Sequence, residues 1–364
     1  MNNSFDTPVA IVDADKVKRN ISKMIEKLAA YGISHRPHMK SHKTTYFAKL
    51  QLEMGASGIT CAKISEAEVM VDSGINDILI ANEIIGFQKC ERLMKLAKRA
   101  HIITLVDSWE GALGLEVAAA KSDQLLEVYI EVNTGADRCG VKPEQVNEIA
   151  KKVINCEHLN LTGLMGYGGN VYGKAPGDEM IRESGKECEV LLWAKESIKS
   201  RLKYDINILS AGSSYSSRYP QTLNGLTESR AGNYLFNDKS TLSGGFCTLD
   251  ECALYVVATI ISTPEPGRAI IDAGTKTLSS DKCHYSDGYG YIVEYPEMKI
   301  YALDEEHGYI SYDAMSTPKI KIGEQIKIIP NHACVIPNLV GELILQQKNG
   351  KSQIIEVDAC RKLQ

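Results

Sequence analysis

Over its first two thirds the chain alternates short apolar runs with longer stretches of helical period, and no other feature constrains the fold as much. The strand candidates are 32–39, 58–62 (GITCA), 77–81 (DILIA), 102–106 (IITLV), 127–132 (EVYIEV), 161–166 (LTGLMG), 206–210 (INILS) and 226–232 (LTESRAG). Between them, in 63–74, 86–100, 108–122, 142–155 and 177–202, apolar residues recur every three or four positions, as on one helix face. Eight strands, each followed by a helix or a loop, is the count of a TIM (β/α)8 barrel. An open doubly wound sheet competes, but no GxGxxG opens the first strand–helix turn.

From residue 241 the pattern changes. CALYVVATIIST, GRAIIDAG, GYGYIVEYP, KIYALDEEHGYISY, EQIKIIPN, GELILQQ and KSQIIEVDAC are β-rich and separated by Gly, Pro and Asp turns. The expected organisation is an α/β barrel over 25–240 and an all-β domain over 241–364, with the strand-like PVAIVDADKV within 1–24 adding to that second sheet.

The composition excludes several classes. A net charge of −5 gives no basic field to draw nucleic acid or an anionic membrane. No apolar run approaches the roughly 20 residues of a membrane span. The first twenty residues lack the basic start and apolar core of a signal peptide, so a cytoplasmic location is expected. Ten cysteines are scattered without a CxxC pair, which argues against a zinc ribbon or a thioredoxin-type motif. A small-molecule substrate is the remaining kind of partner.

In a TIM barrel the chemistry is built from loops at the C-terminal ends of the strands. Unusual polar residues fall there repeatedly: Lys40 and His42 after the first strand, Asp107 after the fourth, Arg138 after the fifth, Tyr167 after the sixth, and SAGSS after the seventh. SRAGNY follows or overlaps the eighth. SAGSS has the composition of a phosphate cradle, because Gly212 admits a close backbone and Ser213 and Ser214 supply donors at an expected helix start. An ordinary Gly/Ser turn reads the same from this stretch alone; Tyr234, two residues past Gly232, adds weight to phosphate. A barrel with a phosphate site and a strand-end lysine suggests pyridoxal 5'-phosphate, whose aldehyde forms a Schiff base with an amine. The segment SHRPHMKSHKT (34–44) holds three of the eight histidines and two lysines. Lys40 lies nearer the strand end than Lys43; Lys63 is a third option.

The stretch RPHMKSHK (36–43) resembles the pyridoxal-lysine motif of the D-threonine aldolase and D-serine dehydratase family, fold-type III enzymes built like alanine racemase. The resemblance continues through EVNTGADRCGV, GLMGYGGN, SAGSS, ESRAGNYLFND, IDAGTKTLSSD, EEHGYI and PNHACVIPN, in order along nearly the whole chain. It implies that Lys40 holds the cofactor and takes the α-proton, and that Arg138 hydrogen-bonds the ring's phenolic oxygen. It further implies that Gly212, Ser213, Ser214 and Tyr234 hold the phosphate, and that Tyr167 lies near the ring. His332 and Cys334 match the family's metal pair, and if the segment is a strand, residues i and i+2 point to the same side. Imidazole plus thiolate favours zinc, with manganese or magnesium as alternatives. His38, His42 and His307 are candidates for outer-shell or acid–base groups, and His35 for a structural one. The chain departs from the family pattern at VIPNL after the metal pair, where Pro-Thr/Val-x-Asn is expected.

The function so implied is a metal-assisted lyase acting on D-β-hydroxy-α-amino acids, as a homodimer. D-serine dehydratase-type elimination is favoured over D-threonine aldolase-type cleavage, because a thiolate ligand resembles the zinc-dependent dehydratases. An amino-acid racemase and a non-catalytic pyridoxal-phosphate carrier are further alternatives; such carriers usually lack the β-domain. D-serine, D-threonine and 3-hydroxy-D-aspartate are not separated by these motifs.

Overall fold

The computed structural model describes residues 5–315 and 320–364. It divides into two compact units. One gathers the chain up to Ile21, Ser41–Thr44 and Asn233–Cys360; the other comprises Ser22–Lys40, Thr45–Gly232 and Arg361–Gln364.

The chain opens with β1 (Val9–Asp13) and α1 (Ala14–Ala29). The barrel strands follow: β2 (Ser34–His35), β3 (Ile59–Cys61), β4 (Asp77–Glu83), β5 (His101–Val106), β6 (Leu126–Glu131), β7 (Leu159–Met165), β8 (Ile208–Ala211) and β9 (Glu228–Ser229). Each overlaps one of the eight apolar runs. Five of the six helices between them cover the stretches of helical period: α3 (Ile64–Asp72), α4 (Phe87–Ala97), α5 (Trp109–Ser122), α6 (Val146–Ile154) and α7 (Asp178–Leu202). The sixth, α2 (Thr45–Glu53), follows the histidine-rich segment. Between β8 and β9 the crossover is two 3-10 turns, Ser216–Arg218 and Pro220–Leu223, rather than an α-helix.

All eight strands pair in parallel, in the order β2-β9-β8-β7-β6-β5-β4-β3. The ring closes where His38 bridges Thr60, whose N–H donates to the Pro37 carbonyl at 2.8 Å. The interior packs Leu79, Ile103, Leu105, Tyr129 and Met165 against one another. Gly163 makes room for the Tyr129 ring, since a Cβ there would lie 2.6 Å from it.

The other unit holds the second sheet. Its strands are β1, β10 (Leu254–Glu265), β11 (Arg268–Ile271), β12 (Tyr291–Ile292), β13 (Lys299–Leu303), β14 (Gly308–Ser311), β15 (Gln325–Ile329), β16 (Glu342–Gln346) and β17 (Ser352–Glu356). The path runs β13-β14-β11-β10-β1-β16-β17, with β15 pairing β10 and β12. β1 is central: Val9 opposes Val257 in the antiparallel ladder with β10, and Ile11 opposes Ile344 in the parallel ladder with β16. Its unbroken VAIV run suits a strand covered on both faces. No helix among the described residues is long and apolar enough to cross a membrane.

One buried ion pair pins the barrel. Arg36 donates from Nε to Glu228 Oε2 at 2.9 Å and from a terminal nitrogen to Asp77 Oδ1 at 2.5 Å. Ser210 donates to the other oxygen of Glu228 at 2.6 Å. Removing one partner of a buried pair strands the other charge in a low dielectric. Arg36→Met is therefore expected to cost about 3–5 kcal/mol, read as a lower urea midpoint at unchanged m-value.

Candidate active site

Because the eight strands are parallel, every residue that follows a strand lies on the same rim of the barrel. Lys40 is there, in the 3-10 turn Met39–Ser41 after β2. Its side chain is exposed, and its backbone N–H donates to His38 Nδ1 at 3.4 Å. Lys43 is differently placed. It is buried with φ 53°, its Nζ donates to the Ala359 carbonyl at 3.4 Å, and its own carbonyl accepts Ala359 N–H at 2.9 Å. That residue anchors backbone. Lys63 occupies the position preceding α3. His35 is buried against the Ser229 carbonyl, and burial holds its pKa down to about 4, so it stays neutral. Buried His42 accepts Thr44 N–H at 3.1 Å, and exposed His307 sits at the turn between β13 and β14.

After β6 the loop of NTGADRCG folds back on itself. Val132 bridges Val141, and Asn133 Oδ1 accepts the N–H groups of Gly135 and Asp137. This turn carries Arg138, whose guanidinium lies 4.8 Å from the centre of the Tyr167 ring that follows β7. The Tyr167 hydroxyl donates to the Tyr172 hydroxyl at 2.8 Å, fixing the ring under the cation.

After β8 comes the SAGSS loop. Gly212 has φ 89°, and a Cβ there would lie 2.8 Å from the hydroxyls of Ser217 and Ser229, so glycine is required on both counts. Buried Ser213 accepts Tyr215 and Ser216 N–H through its hydroxyl, and the Ser214 carbonyl accepts Arg218 Nε. The element that follows is a 3-10 turn, shorter than the helix start expected there. Two buried charges hold this rim. Glu187 on α7 accepts Gly168 N–H at 3.0 Å and Gly212 N–H at 3.2 Å, and burial raises its pKa against those bonds. Arg230 donates to Ser210 Oγ and to the Gly166 carbonyl, both at 2.6 Å.

In the unit of the second sheet, Tyr234 is almost fully buried in the 3-10 turn Asn233–Leu235. His332 and Cys334 do not lie on a strand. His332 precedes the 3-10 turn Ala333–Val335, so the strand geometry expected for the pair is replaced by a tight turn. The two side chains nevertheless interact. Burial works against a charged His332, but Cys334, Asp238 and Asp281 more than offset it and lift the imidazole to about 10. His332 Nδ1 meets Asp281 Oδ2 at 2.8 Å, Cys334 Sγ donates to Ser41 Oγ at 3.1 Å, and Asn233 Oδ1 lies 3.4 Å from the same sulfur. Asp238 braces this corner by accepting Asn233 Nδ2 and Ala333 N–H.

These residues fit the two groups that the motifs suggest. An exposed lysine on the rim, a cation stacked on a tyrosine and a glycine-requiring serine loop suit an anionic aromatic cofactor. The carboxylate on Nδ1 leaves Nε2 of His332 for a cation, the usual outer-shell arrangement of a histidine ligand. No cluster of three or more His, Cys, Asp or Glu suited to a metal occurs among the described residues. Two protein ligands suit an open site more than a closed structural one. Glu187, Glu83 and Glu131 escape a reading of motifs, although for Glu83 and Glu131 a charged residue ending an apolar strand run is a usable signal.

The fold and this rim define an α/β-barrel enzyme with a β-rich partner domain. Residues 12–240 match the alanine racemase N-terminal domain, and residues 253–345 match a putative serine dehydratase domain. The chain belongs to the alanine racemase N-terminal domain family. It is 28% identical over 348 residues to a D-threo-3-hydroxyaspartate dehydratase of Delftia sp. (strain HT23), covering 91% of each chain. It is 29% identical over 360 residues to a D-threonine aldolase of Arthrobacter sp., covering 97% of this chain and 92% of the other. A solved structure of a D-threo-3-hydroxyaspartate dehydratase cysteine variant in the metal-free form superposes with a TM-score of 0.90 at 27% identity, covering 97% of both chains. The protein is thus a pyridoxal-phosphate-dependent lyase, and pyridoxal phosphate is the cofactor expected for its family.

Gly212→Ala is expected to destabilise the protein by about 1–3 kcal/mol, because it forces a left-handed backbone on a residue with a Cβ. A fall in Tm relative to the unsubstituted protein checks this.

Proposed function

We propose that this protein eliminates water from a D-β-hydroxy-α-amino acid, giving a 2-oxo acid and ammonia. One observation carries the reading: Ser41, which accepts the Cys334 thiol, is the residue next to Lys40 in the chain. The residue that follows the base in the chain is thereby hydrogen-bonded to a cation-binding side chain.

Pyridoxal phosphate, when bound, supplies a sink for the electron pair left at the substrate Cα. A divalent cation, zinc by the softness of its thiolate ligand, supplies Lewis acidity at the β-oxygen. The protein does the rest. Lys40 would hold the cofactor through its amine, and the same amine would be the base that takes the Cα proton. Arg138, braced by Tyr167, would donate to the ring's phenolic oxygen. Gly212, Ser213, Ser214 and Tyr234 hold the phosphate. His332 and Cys334 hold the cation, with Asp281 keeping the imidazole oriented. The Cα–H and Cβ–O bonds break and hydroxide leaves with a proton as water. The enamine tautomerises, and hydrolysis returns that water and frees ammonia. The reading extends to a cytoplasmic homodimer, with 25–240 carrying the cofactor and 241–364, together with 1–24, the metal.

Lys40 is expected to be the attachment point. Borohydride reduction and peptide mapping should place the phosphopyridoxyl group on it, and Lys40→Ala should abolish the cofactor's visible absorbance. A label on Lys43 or Lys63 contradicts the assignment.

A second reading, retro-aldol cleavage to glycine and an aldehyde, draws support from the aldolase among the relatives. A panel of D- and L-β-hydroxy-amino acids deuterated at Cα separates the two. The expected result is oxo acid and ammonia from D-substrates only, a primary isotope effect, and loss of turnover but not of cofactor on chelation. Glycine and aldehyde without an isotope effect would establish cleavage instead.

A further inference from the structure

Glu187 is a fully buried carboxyl on α7 that the proposed chemistry leaves unused. One of its oxygens, Oε2, accepts two backbone N–H groups, that of Gly168 at 3.0 Å and that of Gly212 at 3.2 Å. The two amides belong to loops after different strands. Gly168 is the residue after Tyr167, beyond the end of β7, and Gly212 opens the loop after β8. At Gly168 a Cβ would lie 3.1 Å from both Cδ and Oε2 of Glu187, closer than ordinary van der Waals contact. The first loop thus approaches the carboxyl as nearly as its backbone permits.

The same helix fastens the first loop a second time. Glu183, one turn earlier on the same face of α7, accepts Asn170 Nδ2 at 2.9 Å through its carboxylate and at 3.2 Å through its carbonyl. On the other side of Tyr167, Gly166 N–H donates to the Ser210 carbonyl at 2.9 Å, and the Gly166 carbonyl accepts Arg230. The backbone is therefore held immediately before and immediately after Tyr167. The two loops also touch through side chains. Tyr172, which accepts the Tyr167 hydroxyl, packs edge-on against Tyr215 with ring centres 5.0 Å apart.

We infer that Glu187 is a positioning residue that sets the Tyr167 loop and the Gly212 loop at a fixed separation, and with them the two ends of the bound cofactor. The inference deepens the functional reading and rests on it. That reading puts the ring's phenolic oxygen at Arg138, which Tyr167 braces, and the phosphate at the loop of Gly212. One oxygen that accepts both amides couples the loops, because neither can shift without lengthening its bond to the shared acceptor. Without the acceptor two buried N–H groups are left unsatisfied, and each loop relaxes separately toward another partner. Because a single oxygen accepts both bonds, a carboxamide oxygen in its place serves as well.

Glu187→Met, similar in length but without an acceptor, and Glu187→Gln, which keeps one, test this together. In the protein stripped of cofactor, amide hydrogen exchange read by mass spectrometry should run about tenfold faster in both 166–171 and 210–215 of Glu187→Met, with 102–106 unchanged. In Glu187→Gln both segments should exchange as in the unsubstituted protein. Faster exchange in one segment alone, or in neither, overturns the coupling, and so does a Gln variant that behaves like the Met variant. If Glu187→Met does not fold, Glu187→Asp, which withdraws the oxygen by one methylene, replaces it in each comparison. In the loaded protein, the phosphorus resonance of the cofactor's phosphate and the visible circular dichroism of its ring should both shift in Glu187→Met and hold in Glu187→Gln. A shift at one end only, or at neither, overturns the positioning role. If the exchange result is found but the protein binds no pyridoxal phosphate, the functional reading fails and the positioning role with it, while the coupling of the two loops stands.

Discussion

The parallel ladder of the barrel is the constraint on which the rest depends. A parallel strand needs a crossover before the next can begin, so each C-terminal end opens into a loop on one rim and each N-terminal end on the other. Lys40, Arg138, Tyr167 and Gly212 are far apart in the chain and share a rim for this reason alone. The Ser34–Glu228 pairing of β2 with β9 and the His38–Thr60 bridge complete the ring. If either were lost, the lysine at its seam would be the first of these residues displaced.

Closing a ring buries whatever the strands carry, and this one carries charge. Arg36, Glu228, Arg230 and Glu187 all lie within the barrel unit and are all buried. Charge in a low-dielectric interior is tolerated only when paired or hydrogen-bonded. Here each group meets an opposite charge, a carbonyl or an amide, and the partners are often backbone groups of the rim. Glu187 takes the amides of Gly168 and Gly212, and Arg230 takes the carbonyl of Gly166. The network thus costs desolvation and returns loop geometry. The corner around His332 follows the same logic in the other unit, where Asp238 and Asp281 brace backbone and imidazole.

Much of this was legible in the order of residues, unevenly and for physical reasons. Runs such as DILIA and IITLV locate β4 and β5 closely, because an unbroken apolar run suits a strand covered on both faces. The segment LTESRAG yields only the two residues of β9, since its polar side chains are there for the network and give no strand signal. The expected strand around His332 and Cys334 is a 3-10 turn, because Asn331, Asp238 and Pro337 supply turn contacts that periodicity does not register. The helix expected after SAGSS is replaced by short turns closed by Ser213 and Ser216 side chains.

The sequence by itself determined the class of fold, the change to a β-rich second part and the residue types of the site. Hydrophobic period and Gly, Ser, Lys and Cys chemistry are local properties that survive in one dimension. Tertiary structure alone decided that Arg138 stacks on Tyr167, that Lys43 is tied to Ala359 while Lys40 is exposed, and that β1 lies at the centre of a sheet whose other strands come more than 200 residues later. Those pairings depend on which strands neighbour one another and in what register, and a register is set by the burial of whole faces at once, not by any one segment.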